Sequence, residues 1–187
     1  MFIRSRRHQC GLTLLELVMF IIIVGIAVAG VLSVMNVVSQ HSADPMIQRQ
    51  AQAIAEALLE EIELQPSTFC DPDDANAATA TSAAGCATTA EALGPEAGET
   101  RFTSPQFDNV NDYNGFAMNG GLLDITGTVV PGLSGYSANI AVAPAALGNL
   151  SAASAEALLI TVTVNAPGDT QVILNGYRSR YAPNAAL

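Results

Sequence analysis

Glu16 stands where a carboxylate has no ordinary place. The chain reads Gly11-Leu12-Thr13-Leu14-Leu15-Glu16, and from Leu17 to Val38 it then carries no charge and only two polar side chains, Ser33 and Asn36. An ionisable group at the edge of a hydrocarbon core costs about 2.5–3.5 kcal/mol at worst on insertion scales, so it calls for a partner or a functional reason. Other residues able to do chemistry are few. The two histidines are His8, in a basic head, and His41, just past the apolar run. The body behind them therefore has no histidine to activate a Ser or Cys nucleophile. The sequence shows no glycine-rich phosphate loop, histidine-based metal cluster or carboxylate pair in an evident cleft, which argues against an enzyme. No cofactor is expected.

Oxygen-bearing side chains concentrate in one stretch, Phe107 to Phe116. There Asp108, Asn109, Asn111 and Asp112 are the donor type that Ca²⁺ takes. Their spacing is not that of an EF-hand, and Asx-turns account for the same residues, so a turn is the preferred reading and no metal is assigned. Asp71, Asp73 and Asp74 receive the same reading. Of the three cysteines, Cys10 lies in the basic head, leaving Cys70 and Cys86 as an even pair. In an extracytoplasmic chain such a pair reads as one disulfide. Two free thiols are the alternative. Zinc is disfavoured, because no histidine lies near either cysteine and no Cys-x-x-Cys occurs.

These residues need elements to position them. The 22 residues from 17 to 38 span about 33 Å as helix, enough to cross a bilayer core of about 30 Å. Three of the seven arginines (Arg4, Arg6, Arg7) precede the span, there is no lysine, and all 17 acidic residues follow Gly11. That asymmetry places the head in the cytoplasm and the body outside. A body this acidic is a poor match for a phosphate backbone, so no nucleic-acid partner is expected. An ordinary secretory signal is the main rival reading, with Ala27-Val28-Ala29 before Gly30 as its cleavage site. The apolar run continues past that point, and a Glu sits inside the supposed signal. A lipoprotein signal fails because Cys10 precedes the span.

Met46 to Leu64 is amphipathic. Ile47, Ala51, Ile54, Leu58 and Ile62 share one arc, with Arg49, Gln52, Glu56, Glu60 and Glu63 opposite. Ser42-Ala43-Asp44-Pro45 interrupts the helix, either as a kink at Pro45 or as a restart with Asp44 as N-cap. Residues 67–105 are poor in large apolar side chains and read as a long surface loop. The last third reads as antiparallel strands: a weak one from Leu123 to Val130, then Tyr136 to Val142, Leu158 to Val164, and Val172 to Tyr181 after a Pro167-Gly168-Asp169 turn. The fold class is therefore α+β. A long N-terminal helix, membrane-spanning in its first half, packs on a three- to four-stranded antiparallel sheet.

The basic head, Gly11, a hydrophobic next residue, the Thr13-Leu14 spacer, Glu16 and the apolar run together resemble type IV prepilins and type II secretion pseudopilins. The resemblance implies a pilin-like fold divided into a leader at 1–11, a spanning helical segment at 12–45 and an extracytoplasmic globular domain at 46–187. It implies cleavage between Gly11 and Leu12 by prepilin peptidase, N-methylation of Leu12, and an assembly role for Glu16. The implied partners are that peptidase, other pilins through the N-terminal helix, and the inner membrane before assembly. Leu12 stands where major pilins usually carry Phe, which points to a minor subunit. The Ser-Ala-Asp-Pro break, the run Gln50 to Ile62, Cys70 and the Asp108 to Tyr113 turn narrow the resemblance to the D-type minor pilins of mannose-sensitive haemagglutinin pili, which serve surface attachment. The implied localisation is a single pass of the inner membrane with a periplasmic body, then a pilus at the cell surface. A minor pseudopilin of type II secretion, or a membrane-anchored binding module, is the alternative.

Overall fold

The computed structural model describes residues 13–41 and 44–181. They fall into two compact units, divided in the sequence between Ala43 and Asp44. The first is a single helix, α1, Leu14–His41. Nearly every residue in it is apolar, so it has no polar face, as a helix surrounded by hydrocarbon requires.

The second unit opens with α2, Asp44–Leu64. Pro45 falls in its first turn, where a missing N–H leaves no intrahelical bond unmade. The sheet follows, with β1 at Ala117–Met118, β2 at Ser137–Pro144, β3 at Ala157–Ala166 and β4 at Thr170–Ser179. Strand order is β1-β2-β3-β4, every pair antiparallel. The β3–β4 register runs from Ala157↔Ser179 to Ala166↔Thr170. Its turn is closed by Gly168 and Asp169, both left-handed at φ 74° and 56°, which suits the right-handed twist of a hairpin.

The architecture is the expected α+β arrangement, with four strands. The stretch 123–130 is a correction in detail. It contributes only an isolated bridge, Leu123↔Val129, around a loop held by Asp124, whose Oδ1 accepts from the Thr126 and Thr128 amides. A short carboxylate that satisfies two backbone donors offers the chain an alternative to a ladder. The fourth strand is instead Ala117–Met118, too short to show a period.

α2 lies across β3 and β4. Ala51, Ala55, Leu58 and Ile62 meet Ile160, Val162 and Val164 of β3 and Ile140 and Val142 of β2 in one core. Fully burying a side chain the size of Ile62 contributes about 1.5–3 kcal/mol. The helix approaches β4 at Gly176. A Cβ there would lie 2.8 Å from Leu59 Cδ1 and closer still to the Glu63 carboxylate. Glu63, assigned by its arc to the solvent face, is half-buried for that reason. A second, smaller core of Cys70, Ala77 and Ala80, with Phe69 and Cys86 against it, lies within the 67–92 loops.

Candidate functional site

Two regions hold the residues singled out by chemistry. The first is the start of α1. Thr13 precedes the helix, and its Oγ1 accepts the backbone N–H of Glu16 at 3.3 Å while its carbonyl accepts that of Leu17 at 3.1 Å. Thr13 is thus the N-cap, and Thr13-Leu14-Leu15-Glu16 has the spacing of a capping box. The carboxylate of Glu16 lies in the first turn, where unpaired N–H groups favour negative charge. That capping pattern was legible in the sequence and was missed there. Gly11 and Leu12, the expected scissile pair, lie outside the described residues.

The side chains of α1 are bare. Leu14 is 82% exposed, Phe20 64% and Ile26 70%. A Cβ at Gly25 or Gly30 would meet nothing within 4 Å. Leu14–Val38 forms 25 residues of apolar helix, about 37 Å long, near the N-terminus. A surface this apolar is stable only in lipid or against other helices.

Residues 6–32 match the family model described as the prokaryotic N-terminal methylation motif. This is a prepilin-type N-terminus. The match is confined to this N-terminal segment; it supports the resemblance to type IV prepilins and pseudopilins, and with it the apolar helix fits membrane anchoring. No curated protein and no solved structure matches the chain.

The second region is the loop network between α2 and β1. Cys70 and Cys86 are joined as a disulfide, 16 residues apart in sequence. Asp74 holds the segment inside it. Its Oδ1 accepts the amides of Asn76 and Ala87, and its Oδ2 those of Thr88 and Thr89 plus the Thr88 hydroxyl, all at 2.7–2.9 Å. Those amide donors, Thr89 and Ala87 foremost, hold its carboxyl well below the usual range. Asp71 Oδ1 accepts the Asp73 amide at 2.7 Å, an Asx-turn.

The oxygen-rich stretch forms a short 3₁₀ turn, Val110–Tyr113, capped by Asn109. Asn109 Oδ1 accepts the Val110 amide at 2.9 Å and its Nδ2 donates to Thr68 Oγ1 at 2.6 Å. Asp112 Oδ2 accepts the Asp108 and Asn109 amides at 2.9 and 2.7 Å. Asn111 donates from Nδ2 to the Ala92 carbonyl at 2.8 Å. Asn109 is therefore engaged by the turn and by Thr68, whereas Asp112 Oδ1 and Asn111 Oδ1 are buried without a donor among the described residues. Burial pushes the Asp108 carboxyl up to about 6 and the Glu99 carboxyl up to about 7, with neighbouring carboxylates adding to both.

Arg101 was not singled out by sequence. It is 5% exposed and pairs with Glu61 of α2. One signal could have found it, since no other Lys or Arg stands between Arg49 and Arg178. A lone cation in so acidic a stretch has every reason to be paired.

Proposed function

We propose that this chain is a minor type IV pilin-like subunit, cut by prepilin peptidase between Gly11 and Leu12, methylated on the new amine, and taken into a fibre through α1. The observation that carries the reading is the coincidence of the methylation motif at 6–32 with a helix whose apolar surface is uncovered along its length. One helix of this kind serves two environments in turn: bilayer before assembly, and the packed helices of neighbouring subunits after it. Glu16, at the head of that helix, is the group assigned to meet the amine of a neighbour. The body carries its chemistry as loops on a rigid helix-and-sheet frame, which suits contact with partners better than catalysis.

Leu12 in place of the usual Phe supports a minor subunit. The run 50–62 and the turn at 108–113 support the D-type minor pilins of mannose-sensitive haemagglutinin pili, with a role in initiating or capping a fibre used for surface attachment. The test is the mass of the mature N-terminus from cells that make the fibre. Methylated Leu12 is the expected result, and Gly30 or Met1 would overturn it. Deletion should then remove surface fibres sheared from cells. Loss of protein secretion with fibres intact would move the chain to the pseudopilins.

A further inference from the structure

We propose that Glu91, Glu96 and Asp112 bind a Ca²⁺ ion that ties the end of the disulfide-closed loop to the 3₁₀ turn at Val110–Tyr113. One carboxylate oxygen from each of the three lies within 4.8 Å of the other two. Oxygens bound to one Ca²⁺ at 2.3–2.6 Å sit at most about 5 Å apart, so the three are spaced closely enough to share one ion after small side-chain shifts. Proximity alone would leave this an acidic patch. What makes it a site is that its deepest member is short of a partner. Asp112 is 1% exposed. Its Oδ2 is occupied by two amides, but Oδ1 is buried with no donor. Both carboxylate oxygens of Glu91 are likewise buried without a partner, and so is Oδ1 of the adjoining Asn111, itself 5% exposed. Buried acceptors left unpaired each cost on the order of 1–3 kcal/mol, more when charged. Three of these oxygens belong to members of the triad, and buried polar atoms in a native fold are otherwise almost always paired.

Among the described residues, neither Arg101 nor Arg180 fills the gap. Arg101 is committed to Glu61. The charge of Arg180 acts on Glu91, yet its guanidinium is stacked over Phe69 at 4.7 Å and its Nε has no acceptor. A second triad, Asp71, Glu99 and Asp108, also has oxygens within 4.8 Å of one another, and Asp71 and Asp108 both act on Glu91. Burial first, then the like charges of Asp112 and Glu96, and after them those of Asp71 and Asp108, raise the Glu91 carboxyl far above its ordinary range, and burial raises Asp112. A divalent ion supplies the missing charge. The donors are all hard oxygens, with no His or Cys thiolate, which suits Ca²⁺ over zinc or copper. The inference does not depend on the pilin reading.

The experiment is calcium titration of the full chain in detergent micelles, stripped with EGTA, followed by calorimetry and by thermal unfolding. Wild type should bind Ca²⁺ saturably and unfold at a higher temperature when loaded. Asp112 also caps its turn, so the informative variants are Glu91→Gln and Glu96→Gln. Each should weaken Ca²⁺ binding at least tenfold while leaving the EGTA-treated protein as stable as wild type or more so, because one repelling charge is gone. A merely structural role would lower stability in EGTA, and that result would overturn the proposal. So would no saturable binding by wild type, unchanged affinity in both variants, or Mg²⁺ binding as tight as Ca²⁺.

Discussion

Arg101 and Glu61 join the long loop to α2 through two parallel hydrogen bonds, Nε to Oε1 and Nη2 to Oε2, each 2.7 Å. The pair is the hub of a larger network. Tyr113 Oη donates to Glu61 Oε1 at 2.9 Å, and Arg101 Nη1 donates to the Leu123 and Asp124 carbonyls at 3.2 and 3.3 Å. The guanidinium also lies over the Phe102 and Phe116 rings at 5.4 and 5.9 Å. Burial alone would lower the Arg101 pKa, but the hydrogen bond and charge of Glu61 outweigh it and raise it. Removing one partner of a buried pair costs about 3–5 kcal/mol because the other charge is stranded. Arg101→Ala should therefore destabilise the body by up to about that much, with Glu61→Gln costing less because Glu61 keeps 25% exposure. Denaturant unfolding of both single variants and the double variant measures the coupling. Additive losses would show that the two residues act independently.

A smaller test of the helix–sheet contact lies at Gly176. Its φ is ordinary, so the demand is for space alone. Gly176→Ala should force α2 away from β4 and cost about 1–3 kcal/mol, the usual range for overpacking. An unchanged unfolding midpoint would mean the helix does not hold this position in solution.

Much of this frame was legible in the sequence. The apolar arc of α2 and the alternation in β2 and β3 depend on side chains three or four positions apart in the helix and two apart in the strands, so periodicity exposes them. Arg101 and Tyr113 lie 40 and 52 residues from Glu61, and the amides of Ala87, Thr88 and Thr89 lie 13 to 15 from Asp74, all through loops, and no period marks such pairings. Loop composition also misled. Segment 67–105 has few large apolar residues, yet it buries Thr68, Asp71, Asp74 and Arg101. Backbone donors, one disulfide and one bidentate ion pair order it, with only a small apolar core of Cys70, Ala77 and Ala80 to help. Thr13 differs from these, because the Thr-x-x-Glu spacing beside Gly11 was readable and was overshadowed by the apolar run behind it.

Asp74 gives a pH signature. Its folded-state carboxyl is held below the unfolded value of 3.8. Its contribution is therefore fully present above that value and lost as pH falls toward the folded pKa. Asp74→Asn should leave a protein less stable at neutral pH and less sensitive to acid below pH about 4. Parallel acid-unfolding curves for wild type and variant check this; curves of identical steepness would remove Asp74 from the account.

The Cys70–Cys86 bridge encloses the same loop. Closing a loop of about 15 residues contributes about 3 kcal/mol in the chain-entropy picture. Less is expected here, because Asp74 already restrains the enclosed segment. Cys70→Ser should lower the unfolding midpoint without changing membrane insertion. The pairing itself is checked by a thiol count on protein purified without reductant, where two reactive thiols would contradict it.

The last prediction separates two jobs that converge on Glu16. Its backbone N–H is satisfied by Thr13 Oγ1, and its carboxylate stands in the first turn of α1. If the residue serves only to start the helix, its loss and the loss of Thr13 should look alike, since each removes part of one cap worth about 1 kcal/mol. If its charge is what a neighbouring subunit recognises, the two should differ. Glu16→Gln keeps the length and hydrogen-bonding capacity of the side chain but removes the charge, and Glu16→Val eases residence in the bilayer. Thr13→Ala keeps the charge and removes the cap. As a hypothesis, both Glu16 variants insert and are cleaved normally yet are poorly recovered in filaments, whereas Thr13→Ala is recovered nearly as well as wild type. Membrane and sheared-filament fractions compared at equal expression give the answer. Equal recovery of all variants would leave Glu16 with no part in assembly, and equal loss for Thr13→Ala and Glu16→Gln would reduce it to a helix cap.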